Sequence, residues 1–288
     1  MAHLNGVTER ALRLYQKKGI LEPEYINPET GFRYYDIRQS MKLDMLVQLQ
    51  GLGLSLDEIA QIVSQQDMGL LRQRASERLD ALNDQLREVL EARAAAQAVV
   101  NSCDAFFDPP ILNQVLLERL PERKILRFKI DHPEMTRRHS GSDVDLQGEW
   151  EYALRTVKQE MLRRGYSPLA FNNVGCIVPQ DGLGTVQKYV EYAFVTVDEA
   201  FADCLQDAET IPASQCLTFY TKYVYDAEGN EAESVHLERM LDYARAKNLE
   251  VAGDFYDDVL CRYQQLLRGD GVILCRYSLP VRQGKNKG

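Results

Sequence analysis

One stretch decides the fold of the N-terminal region: residues 7–35 read VTERALRLYQKKGILEPEYINPETGFRYY. Arg10 and Arg13 stand three residues apart, so in a helix both lie on one face and can point at the same groove of a duplex. The sequence Gly-Ile-Leu at 19–21 predicts the end of this helix. The turn residues NPETG at 27–31 then predict a hairpin. The stretch is interpreted as a helix followed by a wing, both placed to grip phosphates.

These two motifs, at this separation, resemble the MerR family of transcription regulators. The resemblance rests on GVTERALRLY at 6–15, GIL at 19–21 and PETGFRYY at 28–35. It implies that the helix enters the major groove and that the wing holds the flanking backbone. The residues predicted to contact DNA are Thr8, Arg10, Arg13, Tyr15, Lys17, Arg33, Tyr34 and Tyr35. Tyr34 and Tyr35 also fit a second interpretation, as core aromatics.

The segment before the first motif is shorter than the resemblance leads us to expect. Members begin with a short strand and a first helix that braces the recognition helix, whereas only Met1–Asn5 precede the turn here. Two hypotheses therefore stay open. One is a DNA-binding regulator, and the other is a small-molecule binding or sequestering protein whose DNA binding is weakened.

Composition and charge narrow the class of protein. A chain of 288 residues has room for about two domains and a connector, and 45% hydrophobic residues support folded cores. The net charge of -9 argues against a protein that coats nucleic acid. DNA affinity would come from a few placed contacts, doubled by dimerisation. The sequence has neither a signal-peptide pattern nor a membrane-length apolar run, so the cytoplasm is the predicted location, with no membrane partner.

Three helices are predicted after the wing. Asp36 is the predicted N-cap of the first, and Ser55 with Glu58 has the capping-box spacing that opens the second. The third is a long helix at 68–102. Its apolar residues alternate spacings of three and four, which predicts a dimerising coiled coil; they begin with Leu79, Leu82, Leu86 and Val89. The alternative is a helix that packs on its own C-terminal domain.

The six cysteines are scattered without CxxC spacing. Cys103 lies near the end of the long helix, where metal-sensing members of the family place ligands, but no second cysteine is near it in sequence. We therefore predict buried free thiols, and neither a metal site nor a cofactor.

A different pattern begins near Leu116. An order of strand, helix, strand, strand occurs twice, which predicts two similar half-domains with a cleft where they meet. The first set covers 124–130, 148–164, 169–178 and 188–197, and the second covers 215–225, 231–247, 250–260 and 272–281.

This order, with IPA at 211–213, GDFYD at 253–257 and YSLPV at 277–281, is similar to the GyrI-like effector-binding domain of BmrR-like regulators. The resemblance implies a buried acid among aromatic walls that balances flat, cationic ligands. Asp257 takes the acid's place, with its neighbour Asp258 as the alternative. The predicted walls are Trp150, Tyr152, Tyr192, Phe194, Tyr220 and Tyr256, together with Tyr189, Phe219 and Tyr223; of Phe219 and Tyr220, only one can line the cleft.

No catalytic motif is evident, and the histidines His3, His132, His139 and His236 are widely separated. The predicted fold class is α+β: a winged helix-turn-helix at 1–66, a coiled-coil helix and linker at 67–108, and a duplicated effector-binding domain at 109–288. The predicted function is a homodimeric regulator that distorts promoter DNA for RNA polymerase when it senses a cationic or amphipathic aromatic molecule. Hydrolysis of small molecules is a remoter alternative to this non-enzymatic function.

Overall fold

The structure is a computed structural model that describes residues 1–130, 146–183, 191–224, 233–268 and 272–284. The chain divides into two compact units, Met1–Glu88 and Val89–Gly288. The long helix α4 contributes residues to both units.

The first unit is a small helical domain with a two-stranded hairpin. Its elements are α1 (Glu9–Lys17), β1 (Tyr25–Ile26), β2 (Arg33–Tyr34), α2 (Ser40–Gly51) and α3 (Leu56–Gln65), followed by the start of α4 (Met68–Phe107). Its core is formed by apolar side chains that are almost fully buried, namely Leu12, Tyr15, Ile20, Leu21, Leu43, Leu46, Leu54, Ile59 and Ile62. This packing holds α1 against α2 and α3.

Local hydrogen bonds fix where these helices begin. The Thr8 hydroxyl accepts from the backbone N–H of Ala11 at 3.1 Å and so caps α1. The predicted capping box of α3 is present, because Glu58 N–H donates to the Ser55 hydroxyl and Ser55 N–H donates to the Glu58 carboxylate. Asp36 caps a single 3-10 turn that leads into α2, rather than α2 itself.

The wing is a short hairpin whose turn is closed by Asn27. Its side-chain oxygen accepts from the N–H groups of Glu29 at 2.9 Å and Thr30 at 3.1 Å. Gly31 has a φ of +69°, a left-handed conformation that glycine adopts at little cost. Tyr25 pairs with Tyr34 and Ile26 with Arg33, so the predicted hairpin forms over these two residue pairs.

The helix α4 extends without interruption over 40 residues. The apolar side chains predicted to form a coiled-coil seam remain exposed along it, and their exposed fractions are 58% for Leu79, 38% for Leu82, 56% for Leu86 and 64% for Val89. The long-helix prediction is confirmed, and the seam is uncovered within one chain.

The second unit is a curled antiparallel sheet with helices on one side. In chain order its elements are β3 (Val115–Leu120), β4 (Arg123–Lys129), α5 (Leu146–Arg163), β5 (Asn173–Val178), β6 (Tyr192–Val197), α6 (Ala202–Leu205), β7 (Glu209–Ile211), β8 (Ser214–Val224), α7 (Glu233–Ala246), β9 (Leu249–Val251), β10 (Phe255–Cys261), α8 (Gln264–Arg268) and β11 (Val272–Gln283). The strand order is β3-β8-β11-β10-β5-β6-β4-β7, and β9 pairs with β11.

The predicted duplication is present in this order. The first copy is β4-α5-β5-β6 and the second is β8-α7-β10-β11, with the short β9 inserted after α7. Strands β5 and β10 occupy the same place in the two copies and pair with each other at the centre of the sheet. The two half-domains therefore form one continuous sheet around a pseudo-twofold axis.

The main core lies on the helix-covered face of this sheet. Leu154, Val157 and Met161 of α5 and Leu237 and Met240 of α7 are buried there against apolar side chains of the strands. Because neighbouring residues of a strand point to opposite faces, the remaining side chains of the same strands form a second, separate face.

Candidate functional sites

Three basic side chains are exposed on the surface of α1: Arg10, Arg13 and Lys17. The core side chains Leu12 and Tyr15 point the other way. Arg13 also lies 4.0 Å from the Glu9 carboxylate, an exposed contact of little energetic weight. The helix thus presents guanidinium and ammonium groups to solvent from a fixed backbone, as contact with nucleic-acid phosphates requires.

The wing is connected to α1 by a side-chain hydrogen bond. Arg33 Nε donates to Gln16 Oε1 at 2.6 Å, and its Nη1 approaches the Gly31 carbonyl at 3.5 Å. Tyr34 is exposed and its ring lies 5.9 Å from that of Tyr25. Arg33 and Tyr34 therefore stand on the same small domain as the α1 cations.

Two of the residues predicted to contact DNA do not lie on this surface. Tyr15 is buried, burial raises its pKa, and its hydroxyl donates to Gln50 Oε1 at 2.8 Å. Tyr35 packs against the same core, and burial raises its pKa as well. The position of Tyr35 therefore agrees with the second interpretation of this residue, as a core aromatic. Thr8 caps α1, so its hydroxyl is already engaged with backbone.

On the sheet, strand register defines a row of residues that share the face opposite the helices. Directly opposed residues of antiparallel strands lie on the same side. Across β8, β11, β10, β5, β6 and β4, this row contains Tyr220, Arg276, Asp258, Gly175, Phe194 and Arg127. We call this the charged face.

Asp258 is the buried centre of the charged face. Its carboxylate is bound by Arg123 Nη1 at one oxygen, and at the other by Arg276 Nη2 at 3.1 Å and Nε at 3.3 Å. Burial alone would raise the pKa of Asp258, but the Arg276 and Arg123 guanidinium groups outweigh burial and hold that pKa below its ordinary value. Asp258 is therefore an ionised, doubly paired carboxylate.

A second acid reaches this face from the neighbouring strand β3. Glu118 Oε2 accepts from the hydroxyl of Thr218, and from that of Tyr220 at 3.2 Å. Burial raises the pKa of Tyr220, which stays a neutral hydrogen-bond donor. The acids, arginines and phenol form one polar network on the charged face.

Aromatic rings and a third arginine extend the face toward β4. The rings of Phe194 and Tyr256 meet edge to face, with centres 6.0 Å apart. Arg127 stacks over Tyr192 at 5.2 Å and binds Glu209 at 2.6 Å and Asp254 at 3.3 Å. The predicted walls Tyr192, Phe194, Tyr220 and Tyr256 thus all stand on the charged face.

Three other predicted ligand residues lie elsewhere. Asp257 belongs to the adjacent register position and faces the helix side, where Cys176 Sγ lies 3.7 Å from its carboxylate. Trp150 packs on that same helix-side core, and Tyr152 is 61% exposed on α5. The acid that shares a face with the aromatic walls is Asp258, because strand alternation sends its neighbour Asp257 to the opposite face.

Several further expectations concern single side chains. As the alternation argument requires, Phe219 and Tyr220 face opposite ways, since Phe219 stacks on His236 at 4.6 Å on the helix side. Tyr189, His132 and His139 lie outside the described residues, as does the side chain of Tyr223. The sequence patterns do not identify Arg123, Arg276 and Glu118 as residues of this face. Period-two alternation with Asp258 and Tyr220 could have placed Arg276 and Glu118 once the pairing register was known.

The six cysteines are free thiols, and five of them are buried. Within the described part of the chain, no three His, Cys, Asp or Glu side chains are grouped closely enough to hold a metal ion. Among those same residues, no helix has the length and apolar character to cross a membrane.

The first unit has the parts of a winged helix-turn-helix DNA-binding domain: a cation-bearing helix, a hairpin wing and a helical core that orients both. Residues 1–66 match the family model described as MerR HTH family regulatory protein. The N-terminal segment therefore resembles the DNA-binding domain of MerR-family regulators.

Known regulators resemble this chain over different lengths. The HTH-type transcriptional regulator CueR of Escherichia coli O6:H1 is 26% identical over 122 residues, which cover 40% of this chain and 90% of that protein. The multidrug-efflux transporter 1 regulator of Bacillus subtilis is 36% identical over 59 residues, covering 20% of this chain and 21% of that protein. A cryo-EM structure of an EcmrR–DNA complex in EcmrR-RPo has a TM-score of 0.41 and 17% identity, covering 98% of this chain and 97% of that one.

Proposed function

We propose that this protein is a homodimeric transcription regulator that binds promoter DNA through its N-terminal domain and responds to a small molecule bound on the charged face. The observation that carries the proposal is the joining of two features in one chain. A MerR-family domain presents Arg10, Arg13 and Lys17 on one helix, and a continuous helix connects it in sequence to a sheet with a buried carboxylate among aromatic rings.

The proposed effector is a cationic or amphipathic aromatic molecule. Asp258 takes the role of the buried acid, and Phe194, Tyr256 and Tyr220 are the proposed aromatic walls. A carboxylate removed from water favours a cation strongly, and aromatic faces add attraction without demanding one ligand shape. Effector binding would shift the dimer toward the state that bends and untwists its site, so that RNA polymerase can use the promoter.

The DNA-binding half of the proposal is tested by a mobility-shift titration on the DNA upstream of the protein's own gene. Wild-type protein is expected to bind specifically and with strong salt dependence. Arg10→Ala and Arg13→Ala should each weaken binding by about 1–3 kcal/mol where a base is contacted, or lower the salt slope by about 1 where a phosphate is contacted.

The matched control is Arg282→Ala, which removes an exposed arginine that binds Glu250 in the second unit. Its titration curve should superimpose on that of the wild type. If wild-type protein shows no sequence-specific shift even at low salt, the chain is a binding or sequestering protein rather than a regulator.

A further inference from the structure

We propose that Arg123 is a built-in competitor for the effector: its guanidinium occupies the cation position of the charged face, and a cationic effector binds by displacing it. This inference rests on the proposed function, because it concerns the specificity of the same site. It assigns Arg123 a role in setting which ligands bind and how tightly.

The surroundings of Arg123 are those of a bound cation. Its Cζ lies 5.2 Å from the centre of the Phe194 ring and 4.9 Å from that of Tyr256. Its Nη1 donates to Asp258 Oδ1, and its side chain is only 16% exposed. Two aromatic rings and a carboxylate around a positive charge are the groups that recognise an organic cation.

Asp258 stays paired when Arg123 leaves. Arg276 binds the other carboxylate oxygen through two nitrogens, at 3.1 and 3.3 Å. An incoming cation would therefore replace one of two positive partners, and at no stage would a buried carboxylate be left without one. Exchange of one cation for another avoids the large cost of an uncompensated buried charge.

The structure also provides a place for the displaced side chain. A cavity of about 310 Å³ lies beside Arg123, at the end of the sheet where β4 starts. The acids Glu122, Asp198 and Glu199 line it, as do Gln97 and Asn101 of α4. A guanidinium released from Asp258 can meet these carboxylates without leaving the protein, and it then stands against the long helix.

Arg127 supplies an internal comparison. It lies on the same strand and face, and its Cζ is 5.2 Å from the Tyr192 ring centre. Its ion pairs go to Glu209 and Asp254 rather than to Asp258. Removing Arg127 therefore deletes a stacked arginine of the same kind without vacating the cation position beside Asp258.

The test uses full-length protein and two probes of matched shape and opposite charge, tetraphenylphosphonium and tetraphenylborate. Dissociation constants are measured by calorimetry for wild type, Arg123→Met, Arg123→Lys and Arg127→Met. Arg123→Met should bind tetraphenylphosphonium on the order of tenfold more tightly than wild type, because the competing cation is gone. Arg123→Lys restores the charge, so its affinity should return toward the wild-type value. Arg127→Met leaves Arg123 beside Asp258 and should therefore gain clearly less affinity than Arg123→Met.

Three outcomes would overturn the proposal. One is that Arg123→Met gains no affinity for tetraphenylphosphonium, and another is that Arg127→Met gains as much. The third is that wild type binds tetraphenylborate more tightly and Arg123→Met loses it, which would make the arginines an anion site. A mobility-shift assay on the same samples distinguishes failure of this inference from failure of the proposed function. If DNA binding is intact but the probe affinities follow one of these three outcomes, the role of Arg123 is wrong and the proposed DNA recognition is unaffected.

Discussion

At the scale of single residues, Asp258 is the buried carboxylate that pairs with both Arg123 and Arg276 in the second unit. Asp258 is 5% exposed, and its carboxylate pairs with two guanidinium groups that are themselves mostly buried. Removing one member of such a cluster is far more costly than its net contribution suggests, because the remaining charges lose their partner but not their burial.

Asp258→Asn is therefore expected to destabilise the protein by about 3 kcal/mol at neutral pH. The pKa of Asp258 is lowered in the folded state, so its ionised form stabilises the fold above the unfolded-state value of about 4. That contribution is lost as the pH falls through the lowered folded-state pKa. The difference between variant and wild type should accordingly shrink in acid, as followed by urea denaturation at several pH values.

The control for this measurement is Asp242→Asn. Asp242 is an exposed acid on α7 that pairs with Arg245, and an exposed pair of this kind contributes little. A loss of stability in Asp242→Asn equal to that in Asp258→Asn would show that burial of the ion pair is not the cause.

At the scale of elements, the two half-domains meet at β5 and β10, and Gly175 makes that meeting possible. A Cβ built on Gly175 would lie 2.2 Å from the Asp257 carbonyl oxygen and 2.5 Å from Cζ of Phe194. Gly175 is paired with Asp258 on one side and with Phe194 on the other, and the Phe194 ring lies over the glycine. The absence of a side chain at Gly175 thus gives the charged face its aromatic wall.

Gly175→Ala should consequently destabilise the second unit by about 1–3 kcal/mol, because one contact is with backbone that cannot rotate away. Gly182→Ala is the matched control, since its nearest atom is Val178 Cγ1 at 3.8 Å. Thermal unfolding monitored by circular dichroism measures both. Equal midpoints for the two variants would mean that β5 and β10 can separate enough to admit a methyl group.

The same strands show how far the sequence predicts this fold. Period-two alternation and the repeated order of elements suffice to find both half-domains, and the capping box at Ser55 marks the start of α3. Alternation also requires Asp257 and Asp258 to face opposite ways. Which of them faces the aromatic rings depends on the pairing of β10 with β11 and with β5, which lies far from β10 in the sequence. Local pattern carries no information about that register.

For α1 the limit has a different physical origin. The spacing of Arg10 and Arg13 predicts a common helical face, and both are exposed in the structure. Tyr15 is five residues beyond Arg10, a separation that turns its side chain toward Leu12 and the core, where Gln50 of α2 accepts a hydrogen bond from its hydroxyl. A resemblance between motifs identifies these residues together. It does not distinguish the residues that are exposed for contact with DNA from those that pack in the core beneath them.

At the scale of the whole molecule, the exposed seam on α4 indicates what the single chain lacks. Leu79, Leu82, Leu86 and Val89 recur every three or four residues and so form a stripe on one side of the helix. Each remains between 38% and 64% exposed. Burying a leucine side chain is worth roughly 1.5–3 kcal/mol, which a second copy of the helix would supply along the stripe.

Leu86→Lys places a charge in the middle of that stripe and should raise the dimer dissociation constant by at least roughly tenfold, as measured by analytical ultracentrifugation. Glu88→Lys also introduces a lysine, two residues away on an exposed, polar part of the helix, and changes the charge by two units rather than one; it should nevertheless leave the dimer unchanged. A twofold-symmetric dimer reads two half-sites, so the monomeric variant should also lose most of its affinity for an inverted repeat while keeping the Arg10 and Arg13 surface intact. A Leu86→Lys protein that still sediments as a dimer would mean that the stripe is not the dimer contact, and the two copies would then have to pair through another surface.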